Sequence, residues 1–279
     1  MQIIRTIADL RATLEGDRKI ALVPTMGNLH AGHLSLVRMA RERGDLVVTS
    51  IFVNRLQFAP HEDFATYPRT LQRDCELLEA QGCDIVFAPD DGEIYPEPQG
   101  YTVHPPPALT DILEGAVRPG FFTGVCTVVL KLFNMVQPAV TVFGKKDYQQ
   151  LLIIRSMVRQ LALPIEIVRA DTVRDADGLA LSSRNGYLND SQRTEAARLN
   201  AALSTLVAAA RAGRSDWQRL EGDARESLTA HGWQPDYIAV RRQSDLREPS
   251  SHAASAGEPL VVLGAARLGG VRLIDNIEI

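Results

Sequence analysis

From Lys19 to Val37 the chain reads KIALVPTMGNLHAGHLSLV. Ile20 to Val23 is apolar without alternation, the pattern of a strand buried on both faces. Pro24, Gly27 and Gly32 break the run, and Leu34, Val37, Met39 and Ala40 then follow at helical spacing. A strand that feeds a helix through a glycine-containing turn aims backbone N–H groups and the positive helix end at one spot, where phosphate binds well. His30 and His33 stand three apart at that junction, on one face, and imidazoles there donate hydrogen bonds to phosphate oxygens. The turn lacks both the G-x-G-x-x-G fingerprint and the Walker A pattern. A nucleoside triphosphate site is therefore one reading, and an ordinary solvated turn is the other.

The same alternation recurs along the chain. A short helix is predicted over 4–15 ahead of the first strand. Another follows the histidines through Leu34–Arg43 and stops at Gly44. Leu46–Val53, Asp84–Ala88, Ala139–Phe143 and Ile165–Val168 read as further strands. Leu71–Gln81, Gly124–Val136 and Asp147–Leu161 read as the helices between them. Such alternation implies βαβ units and a parallel, Rossmann-like sheet with helices on both faces. Sites in these sheets lie beyond the carboxyl ends of strands, where segments 24–33, 54–70, 144–150 and 171–186 fall. From about residue 176 the pattern becomes α+β. Helices at 190–212 and 215–231 precede strand-like runs at Tyr237–Val240, Leu260–Ala265 and Val271–Ile274. We expect a first domain over 1–175 and a smaller α+β C-terminal domain over 176–279, with an exposed loop at 243–258.

Composition narrows the class. A chain of 279 residues with 45% hydrophobic and 23% charged residues is ordinary for a globular protein. A formal charge of −4 argues against nucleic acid as partner. Cys75, Cys83 and Cys126 include no C-x-x-C pair, which fits reduced thiols in a cytoplasmic setting. The N-terminus has no signal-peptide character, and Lys131, Asn134, Gln137 and Pro138 make Val125–Phe143 too polar to span a membrane.

Other clusters suit the triphosphate reading. In FGKKDYQQ, Asp147 can cap a helix while Lys146 faces phosphate at its start, although a solvated lysine pair fits equally. In GLALSSRNG (178–186), hydroxyls and Arg184 between glycines suit a loop closing over an anion, or an ordinary turn. Gln57 in NRLQF follows the second strand.

In this order and spacing, PTMGNLHAGH, FVNRLQF, YPRTLQRD, FGKKDYQQL and DGLALSSRNGYL closely resemble the pantoate–β-alanine ligase family, and the likeness extends to LIDN at 273–276. The resemblance implies a nucleotidyltransferase with an HxGH motif. Such an enzyme condenses (R)-pantoate with β-alanine, using ATP and Mg²⁺, through a pantoyl-adenylate that releases pyrophosphate and AMP. It also implies a cytoplasmic homodimer in the pantothenate and coenzyme A pathway. Met26, Gly27, Asn28, Leu29, His30, Ala31, Gly32 and His33 would hold ATP, with His30 and His33 on its phosphates. Gln57 and Gln150 would bind pantoate, with Gln57 also near β-alanine. Gly144, Lys145, Lys146 and Asp147 would meet the adenosine, with Lys146 reaching towards phosphate. Val173 would touch adenine; Leu181, Ser182, Ser183 and Arg184 would close over phosphate; Asp74 would be a metal-linked carboxylate. The catalytic set is His33, His30, Lys146 and Arg184. Phe121 and Thr123 stand where members often carry His and Arg. Lys145 replaces an acidic residue, which makes the local field more positive.

The chemistry so implied fits these groups. A carboxylate with a pKa near ~4 needs no base to attack the α-phosphorus. Charge is the obstacle, and oriented donors are worth roughly 3–4 kcal/mol each in a dry site. The rival readings are another nucleotidyltransferase on the same scaffold and a non-catalytic nucleotide-binding or RNA-associated module.

Overall fold

The computed structural model describes residues 1–60, 62–250 and 257–279. Residue 61 of the 54–70 segment and residues 251–256 of the loop expected at 243–258 lie outside the described residues. The chain divides into two compact units, Met1–Gly144 with Ile153–Asp171, and Lys145–Leu152 with Thr172–Ile279.

In chain order the first part of the molecule comprises β1 (Gln2–Ile4), α1 (Ile7–Leu14), β2 (Ile20–Thr25), α2 (Ala31–Arg41) and β3 (Leu46–Ile51). It continues through a 3-10 turn at Arg55–Gln57, α3 (Leu71–Ala80) and β4 (Ile85–Phe87). Three short helices follow: α4 (Asp91–Ile94), α5 (Pro107–Thr110) and α6 (Leu113–Val117). Then come the long α7 (Phe121–Val136), β5 (Val140–Gly144), α8 (Tyr148–Gln160) and β6 (Glu166–Ala170). The strands form one sheet in the order β1-β4-β3-β2-β5-β6, and every pairing is parallel.

The chain winds outwards from β2 through β3 to β4, then returns to β5 on the other side of β2. The strand order therefore reverses between β2 and β5, and a crevice at their carboxyl ends is the expected ligand position in such a sheet. Local chemistry opens that crevice. Pro24 has no N–H to give, and the β2–β5 ladder stops at Leu22–Thr141, whereas β2 stays paired with β3 as far as Thr25–Ile51. Ala21, Val23, Val47, Val86, Val140 and Val142 pack one sheet face against Leu36, Val37 and Ala40 of α2 and Leu78 of α3. The long α7 packs against β2 and also meets α1.

The second unit contains α9 (Asp190–Ala196), α10 (Arg198–Arg211) and α11 (Trp217–Thr229). Its antiparallel sheet has the order β7 (Trp233–Arg242), β8 (Leu260–Leu268), β9 (Val271–Glu278). Leu199, Leu203 and Leu206 of α10 and Leu220 and Leu228 of α11 share a core with Ile238, Val240 and Val262.

Two element boundaries differ from the sequence expectation for physical reasons. The helix predicted over 4–15 begins at Ile7, because Gln2–Ile4 joins the sheet edge beside β4. Thr6 caps it by accepting from Asp9 N at 3.1 Å, a T-x-x-D signal readable in the sequence. The helix expected from Leu34 starts at Ala31, because the His30 ring serves as its cap.

Cys75, Cys83 and Cys126 are free and buried. Burial pushes the Cys126 thiol up to about 12 and raises those of Cys75 and Cys83. Iodoacetamide at mildly alkaline pH is expected to leave all three unlabelled in the native protein and to label all three in denaturant. Fast native labelling of Cys126 would contradict its burial. A second outcome tests the α7 contact. A Cβ on Gly124 would lie 2.1 Å from the Leu56 carbonyl oxygen, so α7 meets the Arg55–Gln57 turn only because this residue is glycine. Gly124→Ala is expected to cost about 1–3 kcal/mol through overpacking. Thermal unfolding measures it, and an unchanged Tm would refute the contact.

Candidate active site

The candidate residues divide between the two units. On the first, β2 ends where the Thr25 hydroxyl donates to Ser50 O (2.7 Å) and accepts from Gly27 N (3.2 Å). Gly27 then takes φ +80, where a Cβ would press on Ile51 Cγ2 (3.0 Å) and Asp74 Oδ2 (3.1 Å). Asn28 follows at φ 50, also in the left-handed region. Two amides of this turn are gathered by Asp74, whose Oδ2 accepts from Asn28 N and Oδ1 from Leu29 N, both at 2.9 Å. Thr70 Oγ1 adds a third donor at 3.0 Å. Asp74 has no exposed surface, and its bonded oxygens face the turn. Asp74 thus holds the backbone of the 27–29 turn.

That turn delivers the histidines into the first turn of α2. His30 Nδ1 accepts from Gly32 N (3.1 Å), and His33 Nδ1 accepts from His30 N (3.4 Å), a reciprocal cap. Their rings lie 4.1 Å apart between centroids, tilted by 42°. With Nδ1 accepting, the neutral imidazole carries its proton on Nε2, so each ring is an Nε2–H donor at the positive end of a helix. Ala31 and Gly32 complete this first turn; neither contributes a polar side chain.

Gln57 lies beside this turn, its Nε2 donating to Met26 Sδ at 3.1 Å. Asn54, to which the sequence alone assigns no role, sets its orientation. Asn54 Nδ2 donates to Gln57 Oε1 and to Gly124 O, each at 3.1 Å. Its Oδ1 accepts from Tyr95 Oη (2.6 Å) and Leu56 N (3.3 Å), so every hydrogen-bonding position of the amide is used. Burial pushes the Tyr95 hydroxyl above its ordinary range, which keeps it a proton donor to Asn54.

At the departures from the family pattern, the Arg118 guanidinium sits 3.7 Å over the Phe121 ring centroid and forms an ion pair with Glu62 at 2.7 Å. Thr123 Oγ1 lies 3.5 Å from His104 Nδ1. Phe121 thus supports a cation through its ring face.

Gly144 closes β5 in the first unit; Lys145, Lys146, Asp147 and Gln150 belong to the second. Lys145–Asp147 is a 3-10 turn running into α8, and Gln150 lies in the first turn of that helix. Lys145 pairs with Glu278 at 2.8 Å, and Tyr148 Oη donates to the same carboxylate at 3.0 Å. The extra positive field expected from Lys145 is therefore balanced by Glu278. Val173 O accepts from Leu181 N (3.0 Å) and Arg174 bridges Ala180, so 173–181 is a tight antiparallel loop. Ser182 then caps the 3-10 turn Ser183–Tyr187 by accepting from Arg184 N at 3.3 Å. Among the described residues no group of three or more His, Cys, Asp or Glu is arranged to hold a metal ion.

Comparison with known proteins places the chain in a family. Residues 2–278 match the family model described as pantoate-beta-alanine ligase. The chain is 61% identical to the pantothenate synthetase of Leptothrix cholodnii, with both chains covered completely. The crystal structure of the Thermus thermophilus pantothenate synthetase superposes with a TM-score of 0.92 at 44% identity, covering 99% of each chain. The pantoate-beta-alanine ligase of Francisella tularensis, complexed with beta-gamma ATP and beta-alanine, gives 0.82 at 32% identity, covering 99% of this chain and 97% of that one. By family model, identity and fold, this chain belongs to the pantoate–β-alanine ligases.

Proposed function

We propose that His30, His33, Lys146 and Arg184 carry the polyphosphate charge in the family's reaction. In that reaction, (R)-pantoate and β-alanine are condensed with ATP to pantothenate through a pantoyl-adenylate, with release of pyrophosphate and AMP. The observation that carries this reading is the reciprocal histidine cap, which leaves both imidazoles as Nε2–H donors at the start of α2. The pantoate carboxylate is ionised at neutral pH and attacks the α-phosphorus without a base. What slows the step is repulsion among the carboxylate, the triphosphate and the departing pyrophosphate. Oriented N–H donors and cations answer that repulsion without reorganising.

Met26–His33, Gly144–Asp147, Val173 and Leu181–Arg184 are proposed to bind ATP, and Gln57 and Gln150 to bind pantoate. The fixed Gln57 amide supports this, because an orientation set by Asn54 and Met26 suits a small hydroxy acid. In the second step β-alanine's amine must shed a proton before it attacks the acyl carbon, and its free pKa is near ~10. Proximity supplies most of that step. In this reading residues 1–175 hold nucleotide and pantoate, and 176–279 form the lid that protects the mixed anhydride from water. Mg²⁺ enters as part of the MgATP substrate, held mainly by phosphate oxygens, which suits a cation that keeps several waters. A cytoplasmic homodimer completes the reading, on family likeness; no described helix is long and apolar enough to cross a membrane. Sedimentation velocity tests the dimer.

ATP–pyrophosphate exchange is expected to require pantoate and not β-alanine. Exchange without pantoate would point to a different nucleotidyltransferase, and ATP binding without exchange to a non-catalytic module. His33→Ala is expected to lose roughly 10²–10³ in kcat, on the scale of one oriented donor. Circular dichroism checks that the variant stays folded, and unchanged turnover would remove His33 from the mechanism.

A further inference from the structure

The LIDN segment near the C-terminus (Leu273–Asn276) is carried by β9, and none of the roles above uses it. Its two polar side chains are nonetheless almost fully buried, Asp275 at 4% and Asn276 at 6% exposure. Buried polar groups at a strand end need partners, and these partners are specific. Asn276 Nδ2 donates to Lys145 O (2.9 Å) and Lys146 O (2.8 Å), so both amide hydrogens go to adjacent backbone carbonyls. Asp275 accepts both arms of Arg174, at 2.7 and 2.9 Å, and the Asn200 amide at 3.0 Å. Its Oδ1 also takes Asn276 N at 2.7 Å. Arg174 in turn donates to Asn276 O (3.0 Å) and Gly178 O (3.1 Å).

We propose that Asn276, oriented by Asp275 and Arg174, is a positioning residue that sets Lys146 for phosphate contact. The inference rests on the reading of Lys146 given above. A lysine side chain has four rotatable bonds, so where its ammonium reaches depends on how firmly its own backbone is held. Helix formation alone does little for this backbone, because Lys145–Asp147 is a single 3-10 turn. Two N–H bonds from one planar amide fix the peptide planes on either side of the Lys146 α-carbon. The same strand end holds the 174–178 loop through Arg174, so both nucleotide segments of this unit share one anchor.

The test is a double-mutant cycle read by pantoate-dependent ATP–pyrophosphate exchange. Asn276→Ala is expected to lower kcat about 10- to 100-fold, the scale of a sub-ångström to ångström misplacement, with the KM for pantoate unchanged. In a Lys146→Ala background the same substitution is expected to change kcat by less than about 3-fold, because a residue acting through Lys146 has nothing left to position. Thermal unfolding runs alongside, and Asn276→Ser, whose hydroxyl is too short to span both carbonyls, replaces Asn276→Ala if that variant does not fold. Equal losses in both backgrounds, or full activity in Asn276→Ala beside an impaired Lys146→Ala, would overturn the inference and leave the Lys146 reading standing. An unimpaired Lys146→Ala would overturn both.

Discussion

Taking a carboxylate out of water costs several kcal/mol, and Asp74 has no exposed surface at all. Three hydrogen bonds to the charged group, worth about 1.5–3 kcal/mol each, are enough to offset that cost. Two of them come from consecutive backbone amides, Asn28 and Leu29, in a turn where Gly27 and Asn28 both stand at positive φ. Strained backbone of this kind persists only where its surroundings over-determine it. The consequence reaches the chemistry directly. Since the turn is pinned, β2 can stop at Thr25 and α2 can start at Ala31, so the histidine pair arrives as the cap of the helix. Without the carboxylate the left-handed turn would relax, and the imidazoles would lose the frame that sets their tautomers.

A second regularity is that the proposed site residues Gln57 and Lys146 are held by asparagines, Asn54 and Asn276. Asn54 engages all of its amide positions and thereby turns Gln57 towards Met26. Asn276 gives both of its hydrogens to the backbone that carries Lys146. Glu278 balances the charge of Lys145. For a reaction whose barrier is mostly electrostatic repulsion, orientation matters more than the number of cations, since a preoriented donor needs no rearrangement as charge moves.

The sheet is legible in the sequence because parallel strands are buried on both faces and show as apolar, β-branched runs, as in Ile20–Val23 and Leu46–Val53. The edge strand Gln2–Ile4 is not, since three residues are too few to display any period. Sequence places the start of α2 three residues late because histidine is a rare cap and offers none of the Ser, Thr, Asp or Asn cues. The histidine and lysine motifs stand out through their spacing after strands. Asp74 enters only through the family resemblance, and no local pattern shows its hold on the 27–29 turn. Its use is decided by amides 46 and 45 residues away in sequence, which no local pattern reveals. The same holds for Asn54 and Asn276, whose partners lie up to 131 residues distant.

The central claim is that the fold presents His30 and His33 to phosphate as Nε2–H donors. Long-range ¹⁵N–¹H correlation spectra of ¹⁵N-histidine protein, free and with MgATP, test it most directly. The account predicts that both neutral rings hold the proton on Nε2 with Nδ1 as acceptor, and that MgATP shifts their Nε2 resonances. A proton on Nδ1 in either ring, or resonances indifferent to MgATP, would contradict it.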